Sequence, residues 1–253
     1  MYTKRFFLIL LPVFILITFV QTSFAQNATE IVKKMDQKMR GNTSKAEMTM
    51  KIIRPTWSRT VRFKFWSKGH SYSMILITAP ARDEDSAFLK RNREIWNWVP
   101  QISRVVKLPP SMMMQSWMGS DFTNDDLIKE SSVVTDYNHT IIGDSTLMNH
   151  DCYEIKMIPK PNAPVVWGKV LIWVTKKGYM ELRAEFFDED GNLVNTMVAS
   201  DIKNLGGREL PSHLEMIPAD KKGHKTVLDY QSLTFNSPIP DRFFSIQNMK
   251  HLQ

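Results

Sequence analysis

The sequence predicts a mainly β, single-domain protein: a strongly bent antiparallel sheet of about ten to twelve strands, with helices filling its concave side. Three observations carry this. After Gly41 the apolar period changes from that of a helix to that of a strand and largely stays there. Turn signals then recur at hairpin spacing nearly to the end of the chain. The alternation breaks once, after Pro109-Pro110, into three consecutive methionines, a tryptophan and a further methionine.

Asn27 to Arg40 reads as one amphipathic helix, with Ile31, Val32, Met35 and Met39 at helical spacing and Gly41 as its stop. Strands follow. Ala46, Met48, Met50 and Ile52 alternate with Lys45, Glu47, Thr49 and Lys51. Val61, Phe63 and Phe65 alternate with Arg62, Lys64 and Trp66, and a Lys68-Gly69 turn leads into Tyr72 to Thr78. Ser86 to Lys90 pairs with Glu94 to Trp98 through Arg91-Asn92-Arg93, and Ile102 to Leu108 is a further short strand. Beyond the methionine run, Ser132 to Ile142 and Leu147 to Ile158 flank a Gly143-Asp144 turn. Pro159, Pro161 and Pro164 form a stiff crossing. Val165 to Thr175, Tyr179 to Asp188, Asn192 to Asn204, Arg208 to Ile217 and Lys225 to Phe235 complete the meander, joined by Gly-containing turns. In the tail, Phe243, Phe244 and Ile246 are expected against a sheet edge. No internal repeat, low-complexity run or linker divides the chain.

Pro109-Pro110 cannot sit in a central ladder, so the sheet stops there. Ser111 can cap a short helix of Met112, Met113, Met114, Trp117 and Met118, ended by Gly119. Thr123 with Asp126 three residues on can cap the next helix. Thioethers adapt to irregular shapes, so this stretch suits a lid over an apolar hollow. The bland alternative is a packed core helix.

Lys4 and Arg5, the apolar run Phe6 to Val20 and the small-x-small site Ser23-Phe24-Ala25 have the three parts of a secretory signal. Cleavage after Ala25 is expected, leaving residues 26–253 as the mature domain in the periplasm, exported by the Sec route. Losing Lys4 and Arg5 leaves 31 basic and 26 acidic side chains, a balance of +5 instead of +7. These charges are scattered, as on a solvated face rather than a polyanion-binding patch. Cys152 is the single cysteine, which excludes an intrachain disulfide and reads as a small buried hydrophobe.

The residues that usually carry chemistry do not assemble. Six histidines are present, none in a metal-ligating spacing. His150 and Cys152 could share one strand face, but two ligands do not make a site. Asp121, Asn124, Asp125 and Asp126 resemble a cation cluster without the Asp-x-Asp-x-Asp-Gly rhythm of a calcium loop, and capping of the helix is the simpler reading. Seven tryptophans beside basic residues could stack nucleic-acid bases, yet export argues against that partner. Neither cofactor, metal nor catalytic group is expected.

Trp96-x-Trp98-x-Pro100, Leu108-Pro109-Pro110 and above all Met118-Gly119-Ser120-Asp121-Phe122-Thr123-Asn124-Asp125-Asp126-Leu127 resemble the pattern of LolA-like outer-membrane lipoprotein-sorting proteins, in an uncharacterised branch. Pro240-Asp241-x-Phe243-Phe244 agrees, so the likeness spans the mature chain. The resemblance implies an unclosed β-barrel with a helical lid over a cavity that binds acyl chains. It also implies an arginine linked to lid closure, which no motif places here. The implied function is a carrier of lipid or lipoprotein acyl chains towards the outer membrane, without catalysis, loaded by an inner-membrane transporter and touching membranes transiently. The residues expected to line cavity and lid are Met48, Met50, Phe63, Phe65, Trp96, Trp98, Met112, Met113, Met114, Trp117 and Met118, where a one-residue slip would exchange Phe65 for Trp66. An outer-membrane β-barrel and, more remotely, an envelope hydrolase are the alternatives.

Overall fold

The computed structural model describes residues 28–128 and 132–252. The secretory signal expected over residues 1–25 lies outside them. Among the described residues thirteen strands form one antiparallel sheet in the order β6-β5-β4-β3-β2-β1-β13-β12-β11-β10-β9-β8-β7. The first arm comprises β1 (Thr43–Ile53), β2 (Ser58–Lys68), β3 (Tyr72–Ala79), β4 (Ala87–Arg91), β5 (Glu94–Val99) and β6 (Arg104–Leu108). The second comprises β7 (Tyr137–Leu147), β8 (His150–Pro159), β9 (Lys169–Thr175), β10 (Glu181–Phe187), β11 (Leu193–Leu205), β12 (Arg208–Pro218) and β13 (Lys225–Phe235). Every neighbour is consecutive in sequence except β1 and β13, which close the two arms on each other. β6 and β7 stand at opposite ends of the order, so the barrel is unclosed, as expected.

The alternation read from sequence sets the two faces. In β1, Ala46, Met48, Met50 and Ile52 are buried while Lys45, Glu47 and Lys51 are exposed. Val61 and Phe63 join the same concave cluster and Phe65 packs against it, whereas Trp66 belongs to a different cluster on the convex face. The concave face is covered in two halves. Helix α1, over residues 28–40, lays Ile31, Val32 and Met35 on Ile155, Met157, Ile172 and Val174. It ends where expected: Gly41 takes φ +62 and its N–H donates to the Gln37 carbonyl at 2.9 Å. Residues 109–128 cover the other half.

Three local expectations are corrected. Gly143-Asp144 is not a turn; both residues lie inside β7, where Gly143 sits at a bulge and a Cβ would meet the Glu154 carboxylate at 3.2 Å. The β7–β8 hairpin turns instead at Met148-Asn149, with φ of 49 and 63. Residues 133–136 form a turn rather than the start of that strand. The tail does not lie on a sheet edge. It runs as a strap across the convex face of β2 to β5, where Phe244, and Met249 of the short helix α3 (Ile246–Met249), join Trp66, Met74, Leu76 and Leu89, and Ile246 is exposed. Phe244 stacks on Tyr72 at 5.4 Å between ring centroids.

Phe244 is fully buried in that strap. Phe244→Ala is expected to cost about 3–5 kcal/mol of unfolding free energy, read from denaturant melts; a loss under about 1 kcal/mol would show that the strap is not part of the cooperative unit.

Candidate functional site: a latched lid

The Pro109–Ile128 segment is not the helix its methionines suggested. Pro110–Met112 and Trp117–Gly119 are single 3-10 turns, and the N-cap of the first is Pro109, with no side-chain bond from Ser111. A continuous α-helix would need backbone bonds that this segment spends on a folded-back loop. The Trp117 N–H donates to the Phe122 carbonyl at 2.8 Å, and Asn124 N–H to the Gln115 carbonyl at 2.9 Å. Asn124 Nδ2 donates to the Met112 carbonyl at 2.8 Å. The loop then enters α2 (Asn124–Ile128) through the expected capping box: Asp126 N–H donates to Thr123 Oγ1 at 3.1 Å and Thr123 N–H to Asp126 Oδ2 at 2.8 Å. The segment is thus bonded chiefly to itself and can keep its shape as a unit.

Its apolar side plugs the concave face. Trp117 is fully buried, 5.4 Å from the Phe63 ring and 5.5 Å from Phe88. Met113, Phe122 and Ile128 are buried in the same cluster, and Met112 and Met118 pack against it. Of the residues expected at the site, Met48, Met50, Phe63, Phe65, Met112, Met113, Trp117 and Met118 therefore come together around one apolar interior. Trp96 and Trp98 do not. They point to the convex face, under the tail strap, because Ile95 is the β5 residue that faces inward. Met114 is 46% exposed on the outside of the lid.

A polar latch fixes the lid to the wall. Arg54, just past β1, donates to Asp121 Oδ2 and to the Gly119 carbonyl, each at 2.9 Å. Asp121 also accepts from Thr226 Oγ1 at 2.7 Å, and its N–H donates back to the same oxygen at 3.0 Å. Asn195 Nδ2 donates to the Asp121 carbonyl at 3.3 Å. Both charges are nearly enclosed, with side-chain exposures of 10% for Arg54 and 6% for Asp121. A second arginine, Arg59, reaches the Met118 carbonyl at 3.3 Å. Met118 and Gly119 take φ of 53 and 80, so two left-handed residues turn their carbonyls to the two arginines. That conformation is costly for a methionine. Sequence reading missed Arg54, Thr226 and Asn195, and read Asp121 only as a possible cap or cation ligand. No spacing signal joins residues 67 apart.

Asp126 adds a titratable element. Burial pushes its carboxyl up to about 6 despite the bonds from Thr123, while Trp167 Nε1 donates to its other oxygen at 3.3 Å. The folded protein therefore holds a proton more tightly than the unfolded chain, whose carboxyl titrates near 3.9. The associated stability is full below about pH 4 and is lost as pH rises through about 6.

Two expectations follow. Arg54→Met removes one partner of an enclosed pair, and the uncompensated Asp121 charge is expected to cost about 3 kcal/mol of lid closure. Hydrogen exchange at the Trp117, Asn124 and Asp125 amides should accelerate more than a hundredfold while α1 stays protected; unchanged exchange would mean that Arg54 does not hold the lid. Asp126→Asn keeps a cap acceptor but cannot titrate, so its melting temperature should gain on wild type steadily from pH 4 to pH 7. A constant difference would contradict the assignment.

Comparisons with known proteins place this geometry. The sequence model of a family of uncharacterized proteins matches residues 69–251. No curated protein matches. A DUF1329 family protein from Desulfovibrio piger superposes with a TM-score of 0.80 at 24% identity, covering 89% of this chain and 99% of that one. A candidate outer membrane lipoprotein-sorting protein domain from Vibrio parahaemolyticus gives 0.79 at 21% identity, with 89% and 99% covered. A LolA superfamily protein from Nitrosomonas europaea gives 0.75 at 25% identity, with 87% and 98% covered.

Proposed function

This chain belongs to the LolA-like outer-membrane lipoprotein-sorting superfamily, in an uncharacterized branch of it, and on that premise we propose that it is a non-catalytic periplasmic carrier of acyl chains. The observation that carries the reading is the lid. A self-bonded segment covers half of an apolar concave face and is fastened there by a few polar contacts around Asp121 rather than by strand pairing to the sheet. The state described is the closed one, with Trp117 occupying the interior. Cargo enters when the Arg54–Asp121 contact parts and the lid swings out, exposing Met48, Met50, Phe63 and Phe88.

The energetics suit exchange rather than storage. A chain of about sixteen methylenes gains on the order of 10 kcal/mol on leaving water. Opening the latch and displacing the packed lid residues offsets part of that gain, and ordering the cargo offsets more. The net affinity holds a lipid in water yet releases it to an acceptor that binds the same chain better. Met112, Met113 and Met118 can repack around chains of differing shape. Delivery from a membrane-bound donor and transient membrane contact belong to the same proposal.

The sequence-based alternative of an outer-membrane barrel requires a closed ring with its apolar residues outward. Here β6 and β7 are unpaired with each other, and β1 turns Met48 and Met50 inward and Lys45, Glu47 and Lys51 outward. No helix among the described residues is long and apolar enough to cross a membrane.

Protein purified from its native host is expected to carry lipid detectable by mass spectrometry after extraction, and delipidated protein to take up a fluorescent fatty acid. Arg54→Met should take it up faster. Absence of both co-purified lipid and uptake would overturn the carrier reading.

A further inference from the structure

Beneath the closed lid two buried polar atoms have no hydrogen-bond partner among the described residues: Trp117 Nε1, a donor, and Asn97 Oδ1, an acceptor. They border the same ring. Trp117 packs on Phe88 at 5.5 Å, and Asn97 stands directly opposite Phe88 in the β4–β5 ladder, so both side chains share the concave face with it. Directly opposed residues of an antiparallel pair project to one side of the sheet, which places the Asn97 carboxamide next to Phe88 on the face the lid covers rather than under the tail strap.

Neither residue is the best plug for an apolar interior. Phenylalanine would fill much of the Trp117 site without stranding an N–H, and leucine would suit the row that Asn97 shares with Phe88 and Ile95. A stranded buried polar group weakens the closed state, so the two together make the lid easier to open and leave unmet bonding capacity behind it. The capacity has a defined sense: one donor and one acceptor. A secondary amide offers the complement, a carbonyl oxygen and an N–H on adjacent atoms. An ester offers the carbonyl alone, and a plain hydrocarbon offers neither.

We propose that the carrier recognises its cargo as an N-acyl amide, whose carbonyl accepts from Trp117 Nε1–H and whose N–H donates to Asn97 Oδ1, with the hydrocarbon chain lying along the Met48–Phe63 wall. The proposal rests on the carrier reading and goes beyond it in naming the linkage that is read. Trp117 then serves twice, as the plug of the empty carrier and, after the lid shifts, as the donor that fixes the acyl carbonyl.

The test uses the full mature protein and displacement of a bound fluorescent hydrocarbon dye by three matched probes: N-methylhexadecanamide, methyl hexadecanoate and hexadecane. Wild type is expected to bind the amide about tenfold more tightly than the ester, the equivalent of one buried hydrogen bond. Asn97→Leu should abolish that difference by weakening the amide alone. Trp117→Phe should weaken amide and ester about tenfold relative to hexadecane, and Asn97→Leu should melt no lower than wild type, since it removes a stranded polar group without shrinking the side chain. Equal affinity of wild type for amide and ester overturns the proposal and leaves the carrier reading standing. So does a variant that weakens hexadecane as much as the amide, which would mark a packing role. Failure of every probe to displace dye from wild type sinks both. Repeating the series with an N-palmitoylated dipeptide and with a ceramide assigns the amide to a lipoprotein or to a lipid; loss of discrimination with both also overturns the proposal.

Discussion

An antiparallel sheet that bends without closing has one face it must cover by other means, and everything else in this protein depends on how that covering is done. The sheet presents Met48, Met50, Phe63, Ile75 and Met216 to the inside, a surface that water cannot be left to wet. Two segments share the task. Helix α1 is an ordinary solution, an amphipathic face seated on β8 to β10 with a glycine stop. The lid is a different one: short 3-10 turns and a five-residue helix, bonded internally and tied down by an enclosed ion pair. Apolar burial favours both, and Arg208 also donates to the Gln37 and Lys38 carbonyls at the end of α1, but among the described residues only the lid is fastened to the wall by an enclosed arginine–carboxylate pair.

That difference gives the fold its capacity for change. An enclosed arginine–carboxylate pair is weak evidence for stability, because desolvating the charges costs as much as their attraction returns. Its value here lies in geometry. Asp121 is held by Arg54, just past the end of β1, and by Thr226 of β13 and Asn195 of β11, so the lid registers on both arms of the sheet. Met118 and Gly119, both in the left-handed region, aim their carbonyls at Arg59 and Arg54. The partly buried Asp126 carboxyl and the stranded Trp117 N–H weigh against closure. The closed state is therefore a balance of opposed terms. On the convex side the strap that carries Phe244 is tied by Lys68, which donates to the Ile239 carbonyl and pairs with Asp241 at the surface, and it reads as reinforcement of β2 to β5.

Much of this architecture was legible in the sequence, because a half-buried strand must alternate. β13 spans the expected Lys225 to Phe235, and the burial of Met48, Met50 and Phe63 follows directly from period two. The Thr123–Asp126 box was legible for a similar reason, being a local pattern with a local cause. What escaped was non-local or conformational. Gly143 looked like a turn residue because glycine signals departure from regular backbone, and a bulge departs from it just as a turn does. The methionine run looked helical because apolar composition was taken for periodicity, while Pro109 and Pro110 had already limited it to single turns. Trp96 and Trp98 are expected inside, but in β5 it is Ile95 that faces inward, and the strap that covers the two tryptophans comes from residues near the far end of the chain. Arg54 and Asp121, in turn, carry no pattern that announces an ion pair across the fold.

The central claim is that the lid moves as a unit off the concave face to admit a hydrocarbon chain while α1 stays in place. Its most direct test is a pair of spin-label distances, from Met114 on the exposed outside of the lid to Ile217 on the exposed convex wall, and from Lys33 on α1 to that same position, measured with and without a bound fatty acid. The account predicts that the Met114 distance shifts by several ångströms, about the thickness of the chain it admits, and that the Lys33 distance does not change. A lipid-loaded protein in which the Met114 distance is unaltered would contradict it.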